Sequence, residues 1–439
     1  MRDTRIHLHE SSILGEKYYH IAHKSGLNIY LFPKNFTTAY ALFAVKFGGA
    51  DRAFRFPGEG EFTAISEGTA HFLEHKLFER EDGTDTFELF AQTGASANAF
   101  TSALSTAYLF SCTENFDDSL RILLEMVTHP HFTEESVKKE LGIITQEILM
   151  GEDSPSQCLY YGMIRSLYAE HPLRVSVAGS AASISSLTPE ILYACHRAFY
   201  NLNNMGLFIC GNVSVDSVIA AADVCLTEAS PFSAERIPFA EPKGVASPRF
   251  YKEMQVAKPL FSVGVKDCPA GMSPRDRMFR QCTMDIINDV LFSRAAQWRN
   301  LLYKEGVTGS SLSYGYCICD SFAYNALSGE ASDPEEFYGR YTAYLEHVKR
   351  VGLDANSFER CRRVQYANCV ASYDDTAEIA HSLMDMVLDG EELLAEPEII
   401  ASITLDDANR ILREVFVQEQ TVMAVVAPLG YKRKGVSEE

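Results

Sequence analysis

The first half of the chain opens with two runs in which apolar and small or polar residues alternate. The segments LNIYLFP (27–33) and TAYALFAVKFGGA (38–50) are rich in β-branched and aromatic residues, which is typical of strands. Helical segments follow around residues 66–80 and 85–94, and residues 98–113 return to a strand-like pattern. Because helices are interleaved with strands, we expect a mixed fold with antiparallel sheet.

A long helix is predicted after Thr133, which is a suitable N-cap residue. Glu134 and Glu135 follow in the first turn, where the helix dipole favours negative charge. The helix should run through VKKELGIITQEILMG and end before Pro155.

The segment 225–250 contains four prolines and shows neither helical nor strand periodicity. We therefore predict an N-terminal domain over residues 1–228, a linker over 229–247 and a C-terminal domain over 248–439.

The two halves share weak internal similarity. Residues 249–267 resemble the opening hairpin of the first half, and residues 204–224 find an echo in 421–433. This similarity suggests that the halves are two copies of one α+β unit.

The composition is that of a folded globular protein, with 46% hydrophobic and 22% charged residues. A chain of 439 residues favours two or more domains. No apolar run approaches the roughly 18 residues of a membrane span, so we expect no membrane association. The N-terminal segment carries charges throughout and lacks the apolar region of a secretory signal, which makes a cytoplasmic location the expectation.

The net charge of −20 argues against nucleic acid as a partner, because phosphate backbones are bound by clustered Lys and Arg. Such a charge often serves only solubility, but it would favour basic substrates if it lined a cavity. The eleven cysteines are scattered, and we interpret them as reduced residues of the core. Cys317 and Cys319 form a C-x-C pair, but two ligands alone do not make a metal site.

The most informative motif is GTAHFLEHKLFE, in which His71 and His75 lie one helical turn apart. Two imidazoles on one helix face can bind a single metal ion, and catalytic zinc uses three protein ligands and one open position. Glu74 lies on nearly the same face and could take a proton from a water molecule that the metal activates. This spacing is the H-x-x-E-H arrangement of zinc peptidases.

A third ligand must come from elsewhere in the chain, and the helix after Thr133 offers two carboxylates. Glu140 and Glu147 are seven residues apart and therefore share a helix face. One of them could bind the metal while the other orients a ligand. The spacing alone does not assign the two roles.

These residues together resemble the insulinase/pitrilysin family of zinc metallopeptidases, and in particular its short-chain branch, which includes the mitochondrial processing peptidase subunits and bacterial two-subunit zinc proteases. The HFLEHKLFE block is similar to the zinc motif of that family, and ELGIITQEILMGEDSP is similar to its downstream ligand segment. The resemblance implies that Glu147 is the third zinc ligand and that Glu140 supports the catalytic site. SANAFTS (96–102), with Tyr108 after it, resembles the strand that pairs with substrate, and residues 196–213 resemble the end of the first domain.

The resemblance also implies a fold and a reaction. The fold is α+β with two homologous domains, each an antiparallel sheet with helices packed on one face, which together form half of a peptidase clamshell. The reaction is zinc-dependent cleavage of extended peptides or unfolded segments, with Glu74 as general base. A substrate would add a strand beside residues 98–112, where Asn98, Ala99 and Phe100 are the expected contacts.

The second half departs from the family pattern, which places an arginine and a tyrosine there. Leu302 and Gly309 occupy those positions. Arg299, Tyr314 and Tyr316 lie nearby at other spacings, and we interpret them as a helix-surface cation and strand aromatics.

The missing pair predicts a homologous partner subunit, so we expect a heterodimer, with a homodimer as the second choice. A non-hydrolytic subunit that binds zinc or peptide is the alternative function. The intact Glu74 argues against it, because a purely structural zinc site does not need this residue.

Overall fold

The computed structural model describes residues 3–230, 233–391 and 393–432, and all statements below refer to these residues. The elements of the first half, in chain order, are β1 (Arg5–Ser11), β2 (Glu16–Ala22), β3 (Asn28–Pro33), β4 (Ala39–Val45), β5 (Ala53–Arg55), β6 (Thr63–Ala64), α1 (Thr69–Lys76), α2 (Thr86–Thr93), β7 (Ser96–Thr101), β8 (Thr106–Cys112), α3 (Phe116–Thr128), α4 (Glu134–Glu152), α5 (Pro155–Leu167), α6 (Ala181–Ile184), α7 (Pro189–Phe199), β9 (Met205–Gly211) and α8 (Val215–Cys225).

The elements of the second half are β10 (Glu235–Arg236), β11 (Arg249–Met254), β12 (Leu260–Asp267), α9 (Pro274–Phe292), α10 (Gln297–Lys304), β13 (Thr308–Ile318), β14 (Ala323–Ala331), α11 (Pro334–Val351), α12 (Ala355–Ser372), α13 (Thr376–Asp389), α14 (Glu396–Ser402), α15 (Leu405–Val415) and β15 (Thr421–Pro428). The mixed α+β class predicted from the sequence is confirmed.

The two main sheets repeat one topology. The first has seven strands in the order β1-β2-β3-β9-β4-β8-β7, and the second has five in the order β11-β15-β12-β14-β13. Removing the β1–β2 hairpin from the first leaves the same connectivity as the second, with β9 and β15 in equivalent positions. The two halves are therefore copies of one structural unit, as the echo between residues 204–224 and 421–433 suggested.

Residues 27–50 of the first half and 249–267 of the second do not form hairpins, and that expectation was wrong. In each copy the last strand of the unit inserts between the first two and runs parallel to the first, β9 beside β3 and β15 beside β11. Each sheet is therefore antiparallel except for one pair. Adjacency along the sequence could not reveal this, because the inserted strand follows most of the helices of its half and is far in sequence from the two strands it separates.

The predicted strand at 98–113 is a hairpin of two strands. The chain turns between β7 and β8, where the Ser102 N–H donates to the Ser105 carbonyl at 2.7 Å. The Ser102 hydroxyl oxygen also accepts from the N–H groups of Leu104 and Ser105, so serine side-chain chemistry makes the turn. As a result, β7 lies at the edge of the sheet.

Each half covers the other half's sheet with one helix. Helix α5 packs on β11, β12 and β15 of the second sheet, and the equivalent helix α13 packs on β3, β4 and β9 of the first. The Tyr168 hydroxyl donates to the Ala323 carbonyl at 2.8 Å on one side, and the Tyr40 hydroxyl lies 3.0 Å from His381 Nε2 on the other. Helices of the same half cover the opposite face of the first sheet. The two halves are thereby joined into one body.

The segment predicted as a linker is held against both halves. Its strand β10 pairs with β5, and the Glu241 carboxylate accepts from three consecutive backbone N–H groups at residues 169–171 and from Lys266 Nζ. The domain boundaries remain a prediction, but the segment between them is anchored by specific contacts.

Two further observations bear on the sequence analysis. All eleven cysteines are free thiols, most of them buried. Of the helices in the described ranges, none combines the length and the apolar character that crossing a bilayer requires.

Candidate metal centre and active site

Helix α1 presents the motif residues on its open face. Gly68 caps its N-terminus in the left-handed conformation (φ 89°), and a Cβ atom there would lie 2.5 Å from the Ala178 carbonyl oxygen. Glycine permits both the backbone angle and this close approach. The opposite face of α1 is buried through Ala70, Phe72 and Leu73. Packing of that apolar face turns the three ionisable motif residues outward.

Helix α4 begins at the predicted Thr133 N-cap and ends before Pro155. Its buried residues Ile144 and Ile148 fix its rotation, and Glu140 and Glu147 face α1. The capping box that Thr133 forms with Ser136 fixes where the first turn starts. The two carboxylates of α4 thus lie opposite the two imidazoles of α1. His75 and Glu140, which are in contact there, are 65 residues apart in sequence.

His71, His75 and Glu147 form the one group of potential metal ligands in the described part of the chain, with ligand atoms within 4.8 Å of one another. Glu147 Oε1 lies 3.6 Å from His71 Nε2, and Glu147 Oε2 lies 3.6 Å from His75 Nε2. Tetrahedral zinc with bonds of about 2.0 to 2.1 Å separates its ligand atoms by roughly 3.3 Å. His71, His75 and Glu147 could therefore hold a zinc ion, and three protein ligands would leave a fourth position for water.

Glu140 fixes the orientation of one imidazole. Its Oε1 lies 3.0 Å from His75 Nδ1, which leaves His75 Nε2 directed toward Glu147. This bond to His75 is the main cause that lowers the pKa of Glu140. Burial lowers the pKa of His75, but the hydrogen bond with Glu140 and the charges of Glu140, Glu74 and Glu147 together outweigh burial, so the net shift is upward. If His75 binds a metal, this contact would orient its ring for that role.

The other imidazole sits in a drier environment. Burial is the main cause that lowers the pKa of His71, and the neighbouring His75 adds to it, against the charges of Glu147 and Glu140. The Nδ1 atom of His71 is buried without a hydrogen-bond partner in the described structure. A neutral imidazole is the form that binds a metal.

Glu74 faces the site and makes no direct hydrogen bond to the three ligands. Burial raises its pKa, against a hydrogen bond that the Thr101 hydroxyl donates to Glu74 Oε2 at 2.5 Å. A carboxylate with a raised pKa is a stronger base, as proton abstraction from water requires.

The predicted substrate contacts lie on β7, immediately beside α1. The Ala99 N–H donates to the Asn98 side-chain oxygen at 2.9 Å, so it is not engaged by β8 and belongs to the open edge of the sheet. The Phe100 ring lies on the opposite face of the strand and stacks on His381 of α13 at a centroid distance of 5.6 Å. Whether this edge binds peptide stays a prediction.

The aromatic and cationic groups of the second half are structural. The Tyr314 hydroxyl donates to Asp289, and the Tyr316 hydroxyl donates to Asp267. Arg299 is 8% exposed and donates to two backbone carbonyls, so its prediction as a surface cation was wrong. Its guanidinium is buried because those carbonyls replace the hydrogen bonds of water.

Sequence reasoning missed two side chains at the site. Thr101 bonds the proposed base, and Lys76 of α1 is fully buried with its ammonium paired to Glu79. The position of Lys76 beside the apolar residues of α1 could have indicated a buried ion pair, since lysine is almost never fully buried unless it is paired. Nothing in the sequence marked Thr101, because it lies in an ordinary strand pattern.

Comparison with known proteins settles the family. A family profile described as Insulinase (Peptidase family M16) matches residues 63–181, and one described as Peptidase M16 inactive domain matches residues 186–365. An uncharacterized zinc protease of Bacillus subtilis, YmfH, is 32% identical over 421 residues, covering 94% of this chain and 97% of the relative. The chain belongs to the insulinase family of peptidases, M16.

Solved structures of this family share the whole fold. An M16-like peptidase from Alicyclobacillus acidocaldarius aligns with a TM-score of 0.88 and 30% identity over 98% of this chain and 99% of its own. Pitrilysin aligns with a TM-score of 0.74 and 15% identity over 97% of this chain but only 47% of its own length. The inferred family is confirmed, and this M16 chain corresponds in fold to about half of pitrilysin.

The first prediction concerns metal binding. His71→Ala, His75→Ala and Glu147→Ala should each abolish stoichiometric zinc binding, because each removes one of three ligands. Glu140→Ala should weaken binding by about 10- to 100-fold, since it loosens one ligand without deleting it. Elemental analysis and competition with a chelator would measure both effects. Strong loss at Glu140 with unchanged affinity at Glu147 would reverse the two roles.

Proposed function

We propose that this M16 protein is a zinc-dependent endopeptidase that hydrolyses extended peptides or unfolded segments. The observation that carries the proposal is the convergence of His71, His75 and Glu147 beside a further carboxylate, Glu74, which is hydrogen-bonded to Thr101 and to none of the three. Metal ligands alone would also fit a structural site. Hydrolysis also requires a base beside the metal, and Glu74 is a partly buried carboxylate whose pKa is raised by burial.

The chemistry divides between the metal and the chain. Zinc, when bound, supplies a Lewis acid that lowers the pKa of water and polarises a carbonyl. Glu74 removes a proton from the attacking water and delivers it to the leaving amine. The hydroxyl adds to the scissile carbonyl carbon, and the carbon–nitrogen bond breaks as the amine takes the proton. Glu140 keeps His75 oriented throughout.

The edge of β7 supports binding of substrate as an added strand. Its outward Ala99 N–H is covered only by the neighbouring Asn98 side chain, which a peptide carbonyl can displace. Backbone pairing of this kind tolerates many side chains, which suits a peptidase that accepts varied sequences. The same strand ends at Thr101, next to Glu74, so a paired peptide would pass over the metal ligands.

Glu74→Gln tests the reaction directly. It should retain zinc and lose hydrolysis of a mixed peptide library, because the amide has no basic oxygen for proton transfer. A matched control is Glu88→Gln, an exposed glutamate on α2, which should leave both properties unchanged. Loss of zinc in Glu74→Gln would mean that Glu74 is a ligand. Peptide binding without turnover in the wild type would favour the alternative, a non-hydrolytic subunit.

Ala99→Pro tests the strand. It should raise the Michaelis constant by about 2- to 12-fold, the worth of one backbone hydrogen bond, and keep the zinc content. Because this N–H does not pair with β8, the substitution removes no bond from the protein's own sheet. Ala99→Val keeps the N–H and should behave like the wild type. An unchanged Michaelis constant in Ala99→Pro would place the substrate elsewhere.

We further propose that a homologous subunit completes the site, as a heterodimer in preference to a homodimer. Tyr314 and Tyr316 donate their hydroxyl protons to Asp289 and Asp267, and Arg299 is buried and donates to two backbone carbonyls, so the three are engaged within their own half. Removing an oxyanion donor typically costs 10² to 10³ in rate. The chain without a partner should therefore have almost no peptidase activity.

The partner proposal is tested by assaying the purified chain alone and then mixed with a homologous M16 chain from the same organism. We expect a rate increase of about 10² or more on mixing. Size-exclusion chromatography with light scattering would report the assembly. Full activity from a monodisperse monomer would contradict the two-subunit arrangement.

A further inference from the structure

The end of strand β7 is connected to Glu74 by a side chain rather than by packing alone. Ala97, Ala99 and Thr101 share the face of β7 toward α1, because successive residues of a strand alternate between its faces. From this face Thr101 Oγ1 donates to Glu74 Oε2 at 2.5 Å. No other described residue hydrogen-bonds the Glu74 carboxylate.

Thr101 is itself held in place. It pairs with Thr106 as the closing pair of the β7–β8 hairpin. Thr106 is fully buried, donates to the Phe47 carbonyl at 2.9 Å, and lies 3.4 Å from Thr101 Oγ1. A β-branched side chain in a strand also has few rotamers. The hydroxyl that meets Glu74 is therefore fixed by the hairpin, with its single proton directed at the carboxylate.

This arrangement gives the two carboxylate oxygens of Glu74 different roles. Oε2 is anchored by Thr101, while Oε1 is free to receive a proton from water. An unanchored glutamate would rotate about three torsions and present either oxygen at varying distances. Proton transfer requires heavy-atom distances of about 2.6 to 3.2 Å, so anchoring one oxygen raises the fraction of time the other is in reach.

We propose that Thr101 is the positioning residue for Glu74. Its hydroxyl holds the Glu74 carboxylate at a fixed position relative to β7, the strand along which the peptide lies. The proposal rests on the peptidase function proposed above. Thr101 needs no contact with substrate for this role. It connects the position of β7, where Ala99 offers its outward N–H, to the position of the oxygen that takes the proton.

The test compares Thr101→Val, which keeps the shape and removes the hydroxyl, with Thr101→Ser, which restores the hydroxyl. Thr101→Val should lower kcat by about 10- to 100-fold, the usual effect of a misplaced catalytic group, with little change in KM or zinc content. Thr101→Ser should recover most of kcat. The protein is assayed in its active form, with its partner chain where activity needs one.

Thr421→Val is the matched control, because Thr421 is a buried strand threonine of the second half whose hydroxyl donates to the Val417 carbonyl at 2.8 Å. It should lower the melting temperature as much as Thr101→Val and leave kcat unchanged. A raised KM with unchanged kcat in Thr101→Val would show that Thr101 only stabilises β7, and would overturn the proposal. Equal kcat in the valine variant and the wild type would also overturn it.

The two proposals fail in different ways. If the wild type, alone and mixed, hydrolyses no peptide while zinc is bound, the peptidase function is refuted, and Thr101 has no base to position. If the wild type hydrolyses peptides and Glu74→Gln does not, the function stands. The kcat of Thr101→Val then decides the positioning role by itself.

Discussion

The contact between α1 and α4 gathers three carboxylates and two imidazoles into one half-buried patch. Burial raises the pKa of Glu74 and lowers the pKa of His71, so burial penalises the charged forms of both. Such a patch opposes folding unless apolar packing holds it. Here the buried faces of both helices do so, and a bound cation would relieve the repulsion. Groups kept under this strain mark sites of chemistry.

The site belongs to the first half but depends on the second. Strand β7 contacts α1 on one face through Thr101, and on the other face Phe100 stacks on His381 of α13. Helix α13 belongs to the second half and packs against the first sheet. A shift of the second half would therefore move the edge strand relative to Glu74. The exchange of α5 and α13 restrains that movement, because each helix is buried against the opposite sheet.

Local signals in the sequence were sufficient to predict α4 and α1, because a capping residue, a proline and a four-residue spacing of histidines each act within one helix. The partnership of Glu147 with His71 required the family resemblance, because no local rule pairs residues 76 positions apart. The insertion of β9 and β15 and the helix exchange were missed, as they depend on contacts between distant segments. The turn at Ser102 was missed although it depends on local contacts. It is stabilised by the Ser102 hydroxyl and contains no glycine or proline, the residues that usually indicate a turn. Arg299 was misplaced because its partners are backbone carbonyls, which the sequence does not display.

The two copies of the unit share one topology but differ in how the polar residues of their helices are paired. In the first, α1 follows β4 after the short strands β5 and β6, and its imidazoles face the carboxylates of α4. In the second, α9 follows β12 and pairs its buried Arg280 with Asp267 and Glu414. Closing those charges into ion pairs makes a stable scaffold and removes them from chemistry. The second copy thus contributes geometry through α13, whereas the candidate site lies in the first copy, where the imidazoles of α1 meet the carboxylates of α4.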